Sequence, residues 1–174
     1  MWNAATVLVC ALDLLGRSAV SFPPIALVEE RPPDASSRAD AFVGPADRTI
    51  YVITSAPAFQ SLQRTRDRCG ERNTLMKLAS VLVHEEWHVQ HGPDERGAYL
   101  AQLVALLFLG AHPGHPVYLE VQRSMQAVLG REPKSPRPVP ATRQTLADRS
   151  FGGEAEQAEP QPVKFDGLFW PSAP

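Results

Sequence analysis

The chain has 174 residues, 44% hydrophobic and 21% charged, with a formal net charge of −2 and a pI near 6.2. That is enough for one domain with a real core, and the near-neutral balance gives no electrostatic case for nucleic acid or an anionic membrane as partner. Two cysteines, Cys10 and Cys69, are too few for a disulfide framework, leaving one bridge in an exported protein or two thiols in a cytosol.

Residues Ala4 to Leu15 form an apolar run with two readings. A signal-peptide core would suit Ala19-Val20-Ser21 as a cleavage site, but no Lys or Arg precedes the run and Asp13 interrupts it. The run is also too short to cross a membrane as a helix. It reads better as an amphipathic helix with Leu8, Ala11, Leu12 and Leu15 on one stripe, ended by Gly16. A cytoplasmic location is accordingly favoured over a secreted one.

Phe22-Pro23-Pro24 breaks the chain, Ile25–Val28 reads as a short strand, and residues 29–39 read as a polar loop. Ala41–Val43 and Thr49–Thr54 are β-prone runs joined by Gly44-Pro45-Ala46-Asp47-Arg48, which predicts a hairpin. Ser55 is placed to cap a helix that starts near Pro57, holds Ala58, Phe59, Leu62 and Arg66, and ends before Gly70.

The next run, Thr74 to Val83, lacks Gly and Pro and is rich in apolar residues, as a buried helix should be. Asn73 is its candidate N-cap and Gly92-Pro93 its stop. Late in this helix stands His84-Glu85-Glu86-Trp87-His88, a His-Glu-x-x-His pattern. Residues four apart on a helix share a face, so both imidazoles can reach one zinc ion. Glu85 lies about 100° around from His84, beside the metal as a general base for water rather than on it as a ligand. The bland reading is two structural histidines on a helix face.

A catalytic zinc takes three protein ligands and leaves one position for water. Glu95, just past the Gly-Pro break, is the preferred third ligand, because a chain reversal there swings it over the first helix. His91 shares the face of His84 but lies about 10.5 Å along the axis from it, and three ligands in a row make no tetrahedron. Asp94 or a distant histidine are further alternatives. Both acids also suit a helix N-terminus, as His91 suits a C-terminus.

At these residues the sequence resembles the gluzincin-type zinc metallopeptidases, in which a His-Glu-x-x-His helix is followed by a second helix supplying Glu. It looks most like their small single-domain bacterial members, whose second helix often reads Glu-x-x-Ala, here Glu95-Arg96-Gly97-Ala98. The resemblance covers residues 73–110 and departs from the larger members in the short gap between His88 and Glu95. By analogy it implies a small antiparallel sheet ahead of the motif helix, with an edge strand that binds extended peptide.

Beyond Pro93, Ala98 to Leu109 is apolar on nearly every side and predicts a central, well-buried helix. Tyr99 lies one turn after Glu95 on the same face, either as a hydroxyl near the metal or as a core tyrosine. Gln102 continues that face as a weaker candidate. His112 and His115 flank a Pro-Gly turn and read as exposed loop residues rather than ligands. Pro116 opens a third helix, Val117 to Leu129, with Val117, Val121, Met125 and Val128 as its apolar stripe and Gly130 as its stop.

From Arg131 onward, Pro133, Pro136, Pro138 and Pro140, then Gly152-Gly153 and scattered Glu, show no apolar period and predict a disordered tail. The aromatic cluster Phe165, Phe169 and Trp170 reads as its loosely attached end, the alternative being an inhibitory segment docked on the domain.

The expected protein is α+β and zincin-like, with a metallopeptidase domain over 1–130 and a tail over 131–174. The expected cofactor is Zn²⁺ on His84, His88 and Glu95, with Glu85 and Tyr99 as catalytic residues and a peptide or protein as substrate. The competing readings are a non-catalytic metal-binding regulatory or scaffold module, and a helical adaptor with no metal.

Overall fold

A computed structural model describes residues 3–33, 39–65 and 69–130 of the chain. The architecture is α+β: α1 (Ala4–Leu14), a short 3-10 turn (Ala19–Ser21), β1 (Ile25–Val28), β2 (Ala41–Val43), β3 (Ile50–Ile53), α2 (Pro57–Arg64), α3 (Arg72–His91), α4 (Glu95–Phe108) and α5 (Pro116–Leu129). The expectations for the tail over 131–174, and for Arg66 at the end of α2, lie outside the described residues.

α1 forms because Asn3 accepts the Thr6 N–H at 2.9 Å and the following residues are helix-compatible and apolar. Ala11, Leu12 and Leu15 of the expected stripe are buried, joined by Val7 and Cys10, while Leu8 is only partly covered. Cys10 is joined to Cys69, which ties α1 to the segment leading into α3.

The sheet has the order β1-β3-β2. The predicted hairpin is present: β2 and β3 pair antiparallel, with Ala41 opposite Val52 and Val43 opposite Ile50. β1, however, runs parallel to β3, with Ile25 opposite Ile50 and Val28 opposite Ile53, so the sheet is mixed rather than antiparallel. Parallel neighbours need a crossover, and here the loop after β1 together with β2 serves as one. Ile50 and Val52 are fully buried under the helices, while Phe42 and Tyr51 stack on the other face, their centroids 5.1 Å apart.

α2 buries Phe59 and Leu62. Its N-cap is Ala56, not Ser55: the Ser55 hydroxyl donates to the Glu29 carbonyl at 2.6 Å and fastens the end of β3 to the end of β1. α3 starts two residues earlier than expected, with Glu71 as N-cap and Asn73 inside the first turn. It is the central element and buries residues around most of its circumference, among them Leu78, Ala79 and Leu82.

α4 packs on α3 and α5, but it is not covered on every side: Leu100, Val104 and Leu107 are exposed. Apolar composition marks a helix as able to be buried, and the number of packed neighbours decides how much of it is. α5 buries Val117 and Val121, while Val128, the last member of its expected stripe, is exposed. No described helix is long and apolar enough to cross a membrane.

A two-pronged ion pair holds the end of α1 to α3. Arg17 Nη1 lies 2.5 Å from Glu86 Oε2 and Arg17 Nη2 lies 2.7 Å from Oε1, with the guanidinium 4.4 Å above the Phe22 ring. Glu86 is nearly buried, so removing its partner strands a charge. Arg17→Met is expected to lower stability by about 2–3 kcal/mol, and Arg17→Met/Glu86→Leu to recover most of it. Chemical denaturation of the three proteins measures this; equal stability of wild type and Arg17→Met would show the pair to be idle.

Candidate metal centre

Helices α3 and α4 form an antiparallel hairpin whose turn spans Gly92 to Asp94. Gly92 adopts φ +77, a left-handed backbone that favours glycine, and its N–H donates to the His88 carbonyl at 2.9 Å. The chain then reverses, and Asp94 starts α4 by accepting the Gly97 N–H at 3.1 Å. Asp94 is therefore used as a helix cap.

The seam between the helices has a regular register. His88 and Glu95 face each other next to the turn; one turn away the Tyr99 ring meets the His84 ring edge-on at 4.7 Å. One turn further, Gln102 Nε2 donates to Ser80 Oγ at 3.3 Å, and that hydroxyl donates to the Lys77 carbonyl at 2.8 Å. Gln102 thus acts as a buried clamp on the hairpin rather than as a site residue.

Three predicted ligands meet in this seam. His84 Nε2 and His88 Nε2 are 3.2 Å apart, and the Glu95 oxygens lie 3.6 Å from each of them. All the candidate ligand atoms fall within 4.8 Å of one another. Ligands at about 2.0–2.2 Å from a tetrahedral zinc are separated by roughly 3.3–3.5 Å, so the spacing fits such an ion with little adjustment. Two imidazole nitrogens and a carboxylate are also a donor set zinc favours.

The tautomer of His88 is set locally: its Nδ1–H donates to the Gly92 carbonyl at 2.8 Å, which leaves the Nε2 lone pair facing inward. His84 Nδ1 is buried with no hydrogen-bond partner. With both Nε2 atoms and a carboxylate converging, the geometry asks for a positive charge at their centre, a proton or a metal ion. The His84 imidazole beside Glu95 holds its carboxyl below the usual carboxylate range, against partial burial.

Glu85 is 8% exposed and makes no hydrogen bond or ion pair among the described residues. Burial pushes its carboxyl up to about 7; His84 opposes the shift and Glu95 adds to it. Tyr99 is half-buried, its hydroxyl raised above the ordinary value by burial, then by Glu95 and Glu85. Glu95 is 41% exposed, so the cluster is open to solvent on one side.

The remaining candidates lie elsewhere. His91 is exposed, stacked on Trp87 at 3.9 Å with its Nδ1 3.2 Å from the Trp87 carbonyl. His112 Nδ1 accepts the Gly114 N–H, and His115 Nδ1 accepts the Val117 N–H as the cap of α5. Gly92 reads in the sequence as a stop, and no sequence pattern marks its carbonyl as the partner that orients His88. Nor does any pattern mark Trp87, whose place against α4 depends on the turn.

The Glu85 shift carries a pH prediction for the metal-free protein. Its folded value, about 7, stands above the ordinary 4.5. The protonated carboxyl is therefore favoured in the fold. Its contribution is complete below 4.5 and lost as pH rises through 7. Relative to Glu85→Gln, wild type in chelator is expected to lose up to about 3 kcal/mol between pH 4 and pH 8. Urea unfolding measures it, and parallel pH profiles for the two proteins would overturn it.

Comparison of the chain with protein-family models, with curated proteins and with solved structures gave no match. The functional reading stands on the side chains themselves.

Proposed function

We propose that the chain is a small zinc metallopeptidase of gluzincin type, with His84, His88 and Glu95 holding the ion, Glu85 as general base and Tyr99 as a hydrogen-bond donor to the scissile carbonyl. The observation that carries this is the convergence of His84 Nε2, His88 Nε2 and the Glu95 carboxylate beside a buried, unpaired Glu85. A site that only bound metal has no use for that carboxylate, which costs free energy where it stands.

Zinc, when bound, acidifies water to a pKa near 7 and polarises a carbonyl. Glu85 takes the proton of the attacking water on a carboxylate oxygen and delivers it to the leaving nitrogen. An affinity for protons near neutrality suits it to both transfers. Tyr99 keeps its proton at neutral pH and can donate it in a hydrogen bond to the carbonyl oxygen as charge builds there. Glu95 is partly exposed, so the cluster can be reached from solvent. The Cys10–Cys69 bridge suits an oxidising compartment better than the cytoplasm.

Zinc stoichiometry and hydrolysis of a peptide library test the reading together. Wild type is expected to carry one zinc and to lose hydrolysis in chelator, and His88→Ala to carry none. Metal-free wild type would sink the metal site; a zinc-loaded but inert wild type would reduce it to a binding module.

A further inference from the structure

We infer, on the footing of the metal reading above, that Gly97 is a positioning residue for the ion: the bare backbone at 97 lets the first turn of α4 seat against Trp87, and that seating presents Glu95 to both imidazoles. A Cβ at position 97 would lie 2.3 Å from Asp94 Oδ2, 2.5 Å from Trp87 Nε1 and 2.6 Å from Trp87 Cε2. No such contact survives without movement. Gly97 is helical and buried, where glycine costs about 1 kcal/mol relative to alanine. Helix propensity therefore does not explain it; the close approach of the two helices does.

The obstacles differ in what they can yield. Asp94 Oδ2 is the tip of a carboxylate that can pivot while Oδ1 keeps the Gly97 N–H. The indole is rigid, its Nε1 is buried, and its ring is stacked on His91 at 3.9 Å. An alanine at 97 is thus relieved mainly by moving α4 away from α3. Glu95 stands two residues earlier on that same turn, 3.6 Å from each imidazole nitrogen. Ligand distances in metal sites hold to within about 0.2 Å, so a retreat of α4 stretches the reach of the carboxylate and weakens its hold on the ion. Further along the hairpin, the Ser80–Gln102 clamp holds the helices together and confines the displacement to the turn.

Gly97→Ala, Trp87→Leu and the double variant test this by chelator-competition titration with zinc, by the visible spectrum of the cobalt-loaded proteins, and by melting of the metal-free proteins. Expected are a zinc affinity 10–100-fold lower for Gly97→Ala, a weakened four-coordinate cobalt spectrum, and a return to within threefold of wild type in Gly97→Ala/Trp87→Leu, whose leucine removes the indole wall. Wild-type affinity in Gly97→Ala overturns the inference and leaves the metal site intact, whereas a wild type that binds no zinc removes the metal reading itself. Should Gly97→Ala fail to fold, the double variant decides against its Trp87→Leu parent. Equal zinc affinity supports the steric account; a further tenfold loss or no folded protein overturns it.

Discussion

Glu85→Gln is expected to retain zinc at wild-type stoichiometry while kcat/KM for peptide hydrolysis falls by roughly 10²–10⁴-fold, the range of a lost general base. The amide is nearly isosteric with the carboxyl, so the packing around a residue only 8% exposed is kept. What it cannot do is accept a proton. The variant should also be the more stable at pH 8 in chelator, because it removes a buried carboxylate whose proton affinity is raised to about 7. Loss of activity with a gain in metal-free stability separates a working base from a structural residue. Activity within tenfold of wild type would take the role away from Glu85.

The second large effect concerns the third ligand. Glu95→Ala is expected to lower zinc affinity by more than the roughly 10–100-fold typical of groups that only support a ligand, and His91→Ala to change it less than threefold. Glu95 reaches both imidazole nitrogens at 3.6 Å, whereas the His91 ring is engaged with Trp87. Competition titration against a chromophoric chelator measures both variants. The reverse order of effects would mean that the His91 ring leaves its stack on Trp87 to bind the ion.

Helix ends were legible in the sequence wherever one residue imposes the stop or start by its own backbone chemistry. Gly92-Pro93 closes α3, and Pro116 and Gly130 bound α5. The pair His84 and His88 was legible for a similar reason, since a spacing of four is a statement about one helix. Glu95 stayed one of several choices because its reach depends on the path of the turn after Gly92. No spacing rule describes that reversal. His91 shows the converse: seven residues place it nominally on the face of His84, yet a stacking partner at Trp87 takes the ring elsewhere.

The parallel pairing of β1 with β3 was hidden, because Ile25–Val28 carries no sign of which edge it will join. The exposed side of α4 was hidden too, since Leu100, Val104 and Leu107 read the same whether covered or bare. Local chemistry set the elements; long-range pairing set how they were used.

All the residues that would grip the ion lie between His84 and Glu95, on two helices joined by a short turn. Closing so small a loop costs little chain entropy, and α3 can meet α4 before distant strands find their register. A cation taken up beside the turn would therefore clip this hairpin shut without any help from the sheet.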